Sequence, residues 1–253
     1  MSRRTALVTG GSRGVGAATC VALAREGFDV VLTYRNKHAR ALAVGAAVER
    51  AGGRALPLQS DLTSAPDRAA LAAAVGAWCE GLDALVLNAS GGLERDLVAA
   101  DPGYPRRVNR DAQVALVEAL QGQLNPGGVV VHVTSHWAHL HGRVEQFPDY
   151  EPVAASKHAG EVALRELEPA LRARGASLTV VTGDLIEGTI TARLLERRTA
   201  GLTEQRRGES GALPTVGDMA EAITRVCLDG GAAETVVVGG PLADLLSSPR
   251  DPG

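Results

Sequence analysis

Cysteine is rare in this chain. Cys20, Cys79 and Cys227 stand far apart, are odd in number and match no metal-ligand spacing. That excludes a disulfide framework and a zinc ribbon, and it reads as reduced thiols in a cytoplasmic protein with no bound metal. Lysine is rarer still: Lys37 and Lys157 stand against 24 arginines. A lysine kept in so arginine-rich a chain points to a task that needs an ammonium. No run of eighteen apolar residues is present, which excludes a membrane-spanning helix. The net charge is -3, without a basic stripe, so nucleic acid is not an expected partner. The "SRR" at the start resembles a twin-arginine signal only superficially. It runs into "TALVTGGS", a strand and a glycine turn rather than a long apolar segment.

What is present is a rhythm. Apolar runs of strand length, "TALVTGG", "DVVLTYR", "RALPLQSDL", "LDALVLNAS", "GGVVVHVTS", "ASLTVVTGDL" and "ETVVVGG", alternate with helical stretches closed by glycines. Two long helices are predicted, over 106–124 and 152–175, the second with Pro152 in its first turn. The strands are continuously apolar, as strands covered on both faces require. The prediction is an α/β fold, a doubly wound, seven-stranded parallel sheet in one domain over 1–253, with a frayed tail "SSPRDPG".

"TGGSRGVG", residues 9–16, lies at a strand-to-helix turn. Glycines there let the backbone approach a pyrophosphate, and the helix start supplies free N–H groups. Gly10, Ser12, Arg13, Gly14, Val15 and Gly16 are therefore candidate cofactor residues. Asp61 and Leu62 follow the third strand, Asn88, Ala89 and Ser90 the fourth, and Gly183 ends the sixth. All lie beyond the carboxyl ends of parallel strands, where ligands bind. After the second strand no acid is present to hold a free ribose hydroxyl. Arg35 and Asn36 stand there, with Lys37 beside them and Arg13 in the glycine loop. Guanidinium groups suit a 2′-phosphate, so the expected cofactor is NADPH/NADP.

These segments resemble the short-chain dehydrogenases/reductases over nearly the whole chain. "TGGSRGVG" is similar to that family's TGxxxGxG, "NASG" to its NNAG and "TGD" to its Pro-Gly turn, with Thr182 in place of the proline. The resemblance implies a Rossmann fold, adenine between Asp61 and Leu62, and Ile186 and Thr189 at the nicotinamide carboxamide. It implies Ser135, Lys157 and Asn109 as catalytic residues. It also implies a tyrosine four residues before Lys157, where this chain has Val153.

Four groups are candidates for the missing acid. Tyr150 lies seven residues before Lys157, the spacing of the family's enoyl reductases, but at the edge of the helix that Pro152 opens. His136 adjoins Ser135, and His132, His139 and His141 are near it in sequence. A water held by Asn109 is a third. The fourth is the substrate: a phenolic hydroxyl beside the ketone would pass on its own proton, and a valine would do no harm. That reading is preferred here.

Seventeen residues separate Ser135 from Val153, about five more than the resemblance implies. They hold Trp137, Phe147 and Tyr150, three of only seven aromatic residues. Together with Ser90 they are the candidate substrate contacts, although the same rings would also build a small local core. A segment within 188–214, rich in arginine and apolar residues, is the expected helical substrate lid. The expectation is an NADPH-dependent reductase of a polycyclic aromatic polyketide ketone of angucyclinone type, in antibiotic biosynthesis, working as a homodimer or homotetramer. Enoyl reduction through Tyr150 and a non-catalytic NADP(H)-binding sensor are the alternatives.

Overall fold

A computed structural model describes residues 3–247. The tail expected at 247–253 lies outside them but for Ser247. Seven parallel strands form one sheet in the order β3-β2-β1-β4-β5-β6-β7. They are β1 (Arg4–Val8), β2 (Phe28–Tyr34), β3 (Ala55–Gln59), β4 (Leu82–Leu87), β5 (Leu124–Ser135), β6 (Ser177–Gly183) and β7 (Thr235–Val238). Each apolar run read from the sequence became a strand, and β2 is buried at every position. Pro57 sits on the edge strand β3, where a missing N–H is tolerated.

Helices cover both faces. On one, α1 (Gly14–Arg25), α2 (His38–Arg50) and α12 (Val216–Leu228) bury Cys20, Leu23, Val48, Met219 and Ile223 against Val8, Val30 and Val131. On the other, α3 (Ala65–Trp78), α6 (Ala112–Leu120), α8 (Glu151–Arg165) and α9 (Glu168–Ala173) bury Leu71, Val75, Leu116, Leu164 and Leu171 against Leu7, Leu85 and Val130. Short helices α4 (Arg95–Ala100), α5 (Tyr104–Arg106), α7 (His136–His139), α10 (Ile190–Arg198), α11 (Leu202–Ser210) and α13 (Leu242–Ser247) complete the set. A third cluster, with Trp137, Tyr150, Val153, Leu185, Leu195 and Leu202, lies under α10 and α11. No described helix is long and apolar enough to cross a membrane.

Both long predicted helices are interrupted. The second stops at Arg165 and restarts at Glu168, because Pro169 has no N–H and its ring would meet the Arg165 carbonyl. The first is broken by a wide π turn over Arg107–Asp111. That turn packs against α8 at Gly160, where a Cβ would stand 2.2 Å from the Asn109 carbonyl oxygen. Helix α12 has no counterpart in the sequence reading. Its signal is a capping box, Thr215 with Asp218, ahead of Met219, Ile223 and Val226.

The Gly160 contact is backbone on backbone and cannot relax by a side-chain rotation. Gly160→Ala is expected to destabilise the fold by about 1–3 kcal/mol, seen as a lower urea midpoint with unchanged slope. An unchanged midpoint would mean that the π turn moves freely.

Candidate active site

The carboxyl ends of β1 and β4 are tied together. Thr9 Oγ1 donates to the Val86 carbonyl and accepts from the Asn88 and Ala89 N–H groups at 2.9 and 3.0 Å. The Asn88 side-chain amide donates back to the Thr9 and Gly10 carbonyls. Strand order reverses here, so a crevice opens between the two loops. Gly10 has φ +65°, and a Cβ on it would lie 3.1 Å from Ala89 Cα. Arg13 stands at the N-cap of α1 with no capping bond, and the first turn carries no acid. The opening N–H groups of α1 are thus left for an anion, which fits a dinucleotide pyrophosphate.

Gly10, Ser12, Arg13, Gly14, Val15, Arg35, Asn36, Asp61, Leu62, Asn88, Ala89, Ser90, Ser135, Lys157 and Ile186 line one cleft of about 780 Å³, a size usual for small-molecule sites. Gly16 and Gly183 do not line it. Gly16 packs α1 onto the strand ends, where a Cβ would stand 2.5 Å from the Asn88 amide. Gly183 is covered by Ile186 and Met219. Arg13, Arg35, Lys37 and Arg40 line the same cleft. Sequence reasoning missed Arg40 and also Tyr104, whose hydroxyl accepts from Arg35 at 2.6 Å across the cleft.

At the other end Ser135 closes β5. Its Oγ accepts from the Ala138 N–H and lies 2.9 Å from the Tyr150 hydroxyl. Tyr150 is the N-cap residue of α8, with Pro152 in the first turn as expected. One turn on, Val153 lines the cleft with an isopropyl group and is 3% exposed. Burial raises the Tyr150 pKa, and the bond to Ser135 works weakly against it. Lys157 is buried on α8, and burial lowers its pKa to about 8.

Two sequence expectations are corrected. Asn109 does not line the cleft. Its side chain is saturated, with Oδ1 accepting from Ser90 Oγ and the Gly91 N–H and Nδ2 donating to the Gly91 carbonyl and Ser156 Oγ. The side-chain amide braces the loop after β4, so a relay water held by Asn109 would have to use its backbone rather than its side chain. His136 is no acid near neutral pH. It is buried against Thr182, Nδ1 to Oγ1 at 3.0 Å, and burial lowers its pKa to about 4. Thr182, in the place of the expected proline, is its partner.

The aromatic segment divides. Trp137 lines the cleft, but Phe147 does not; it packs on Trp137 with ring centroids 5.0 Å apart. Phe147 is therefore a support for Trp137 rather than a surface offered to ligand. Helices α10 and α11 cover this end, and Ile190, Thr191, Arg193 and Leu194 reach the cleft from α10. They are anchored by a buried ion pair. Arg206 of α11 meets both oxygens of Asp184, just past β6, at 2.9–3.2 Å, and its guanidinium lies 5.3 Å from the Trp137 ring. Among the described residues no three His, Cys, Asp or Glu side chains gather as a metal site would need.

Residues 4–199 match the short chain dehydrogenase family, and the chain belongs to it. It is accordingly an oxidoreductase of carbonyl and hydroxyl groups. A hydroxynaphthalene reductase of Aspergillus fumigatus is 30% identical over 186 residues, which are 72% of this chain and 66% of that protein. The chain thus spans about two thirds of that curated relative. The structure of LugOII, a promiscuous reductase that catalyses keto-reduction at C1 during lugdunomycin biosynthesis, superposes with a TM-score of 0.79. It is 29% identical and covers 95% of this chain and 100% of its own. A short chain dehydrogenase of Burkholderia cenocepacia, in complex with NADP, gives a TM-score of 0.77 at 29% identity, covering 95% and 98%.

His132, on β5, is wholly buried with neither ring nitrogen bonded, and burial lowers its pKa to about 3. His132 and His136 both refuse protons that the unfolded chain takes up below about pH 6.5. Their contribution to stability is present above that pH and is lost as pH falls toward 3–4. The loss amounts to about 1.4 kcal/mol per histidine per pH unit in that window. Thermal melts from pH 7.5 to 4.5 should fall steeply, and His132→Leu should flatten the fall. Parallel curves for the two proteins would refute this account.

Proposed function

We propose that this short-chain dehydrogenase is an NADPH-dependent ketoreductase of a polycyclic aromatic polyketide, with the proton supplied by a substrate hydroxyl beside the reacting ketone. The observation that carries the reading is the Ser135–Tyr150 hydroxyl pair, 2.9 Å apart, on a cleft wall where Val153 replaces the family's tyrosine.

A reduced nicotinamide, when bound, supplies the hydride. The chain's residues do the rest. Gly10 and the open N-terminus of α1 cradle the pyrophosphate, and Arg13, Arg35, Lys37 and Arg40 offer positive charge to a 2′-phosphate. Within the Ser135–Tyr150 pair one hydroxyl donates to the other, and the one left with a free hydrogen donates to the ketone oxygen as negative charge grows on it. Tyr150 is a poor proton source: its hydroxyl pairs with Ser135, and burial holds its pKa above the ordinary tyrosine value. Lys157, at about 8, keeps its proton at pH 7 and favours negative charge nearby. A phenolic hydroxyl hydrogen-bonded to the ketone hands its proton to the new alkoxide, and the phenolate left behind is stabilised by its ring system.

The substrate class has three supports. Trp137, braced by Phe147, lines the cleft. The α10–α11 cover, taken as a substrate lid, adds apolar side chains and Arg193. The chain also resembles the angucyclinone ketoreductase of simocyclinone biosynthesis, a short-chain reductase that keeps the cofactor motifs without the tyrosine. LugOII is named for keto-reduction at C1 during lugdunomycin biosynthesis, and the Aspergillus relative for the reduction of a hydroxynaphthalene, an aromatic substrate.

The same hydrogen bond favours a second reading, in which Tyr150 itself is the acid. Steady-state kinetics on a ketone with a neighbouring phenol separates the two. The first reading expects Tyr150→Phe to keep kcat within about tenfold, Ser135→Ala to lose about a hundred- to a thousandfold, and the methyl ether of the neighbouring phenol not to turn over. A loss of about a hundred- to ten-thousandfold in Tyr150→Phe, with the methyl ether still reduced, would transfer the proton to Tyr150.

A further inference from the structure

Arg35 is held in an unusual way for a cation facing an anion site. Its backbone carbonyl accepts from the Gln59 side chain at 2.9 Å, and its guanidinium donates to the Tyr104 hydroxyl at 2.6 Å. The guanidinium also lies 5.8 Å from the centre of the Tyr104 ring. Among the described residues it forms no ion pair with a carboxylate. Tyr104, at the start of α5, is only 7% exposed although it lines the cleft. It is backed by Gly91, where a Cβ would stand 2.9 Å from the phenol oxygen. The ring is therefore fixed, and Arg35 is fixed to it.

The polarity of the bond matters. Arg35 donates and the phenol oxygen accepts, so the phenol's own O–H remains to be donated. Arg35 likewise keeps N–H groups that the phenol does not use. A tetrahedral dianion placed at this corner would receive N–H donors from Arg35 and an O–H donor from Tyr104. A free ribose hydroxyl there would meet the same donors without the charge that they complement, and Asp61 and Glu94 line the cleft near Tyr104 without an ion pair to Arg35.

We propose that Tyr104 is a cofactor-specificity residue, which pre-orders Arg35 and adds its own hydroxyl to the reading of the adenosine 2′-phosphate. The inference rests on the NADPH reading above and extends it to a residue 69 positions from Arg35, on the opposite wall of the cleft. Ordering a long side chain before binding is worth roughly two- to tenfold in affinity, and one hydrogen bond to a charged group adds a comparable factor.

The test needs no substrate. NADPH, NADH and adenosine 2′,5′-bisphosphate are titrated by calorimetry or fluorescence into the wild type, Tyr104→Phe and Arg35→Ala, each checked by its melting curve. Phenylalanine keeps the ring and removes only the hydroxyl. The expected result is a five- to fiftyfold weaker affinity of Tyr104→Phe for NADPH and for the bisphosphate, with NADH changed by less than twofold. A double variant should be only about two- to tenfold weaker toward NADPH than Arg35→Ala alone, because the pre-ordering share is already lost with Arg35 and only the phenol's own hydrogen bond remains to be removed. Equal weakening of NADPH and NADH would reduce Tyr104 to adenine packing and overturn the proposal. Unchanged NADPH affinity in Tyr104→Phe, with Arg35→Ala impaired, would overturn it and leave the NADPH reading intact. If Arg35→Ala keeps its preference for NADPH, Arg35 does not read the phosphate, and both fall.

Discussion

The ends of β1 and β4 are held together by one threonine and one asparagine, and the rest of the site is built outward from that junction. Thr9 gives its hydroxyl hydrogen to Val86 and takes two N–H groups from Asn88 and Ala89, while the Asn88 amide returns to the Thr9 and Gly10 carbonyls. Each bond contributes only about 1 kcal/mol net, but any one broken would leave a polar group unpaired in a tightly packed place, at about 1–3 kcal/mol. Where strand order reverses, a parallel sheet would otherwise leave two loops free to drift apart. Here they are fixed, so the glycine turn, the start of α1 and the loop running to Gly91 keep a constant separation. Asn109 extends the bracing by seizing the far end of that loop through Ser90 and Gly91 and linking it to Ser156 on α8.

Helix α8 then decides what chemistry meets the cleft. Tyr150, Val153 and Lys157 follow one another at three- and four-residue steps and share its inward face, all three lining the cleft. With an apolar residue in the middle, the phenol stands one turn earlier, at the N-cap, where it meets Ser135. The longer segment between β5 and α8 makes that possible by letting Tyr150 fold down as part of the cluster around Trp137 and Leu140. Such an arrangement supplies hydrogen-bond donors but no acid tuned to neutrality other than Lys157. On the function proposed above the proton then comes from the substrate, which would confine the enzyme to ketones that bring their own acid.

The sheet was legible because a strand covered on both faces announces itself as a continuous apolar run, and all seven such runs became strands in a parallel sheet. The helices were less legible where their course depends on contacts. Pro169 was visible as a signal for a break, although the helix predicted from the sequence runs through it. The π turn at Asn109 was not, since it answers to Gly160 on a helix fifty residues later. The cleft residues carried by motifs, from Gly10 to Ile186, converge along one wall. Those that do not reach it, Gly16, Gly183 and Asn109, are packing and bracing positions that a motif match cannot tell apart from contacts. Trp137 and Phe147 read alike in sequence, and only their mutual packing reveals which ring faces inward. Tyr104 carried no local signal, because its meaning lies in a partner on another loop.

The buried Asp184–Arg206 pair shows how the cover and the floor of the site are one mechanical unit. Removing either partner would strand a buried charge, at several kcal/mol, so α11 is not free to leave while the pair stands. Asp184 also accepts the Leu185 N–H, and Leu185 and Ile186 form part of the cleft wall. Arg206 in turn lies over Trp137, beside Ser135 in the chain. A displacement of the cover is therefore felt at once by the wall past β6 and by the aromatic ring near the Ser135–Tyr150 pair. Helix α10 is tied in as well: Glu196 accepts from the Gly201 and Thr203 N–H groups and the Thr203 hydroxyl at the start of α11, and Arg198 donates to the Asp149 and Leu93 carbonyls, so the two helices of the cover are linked to each other as well as to the sheet.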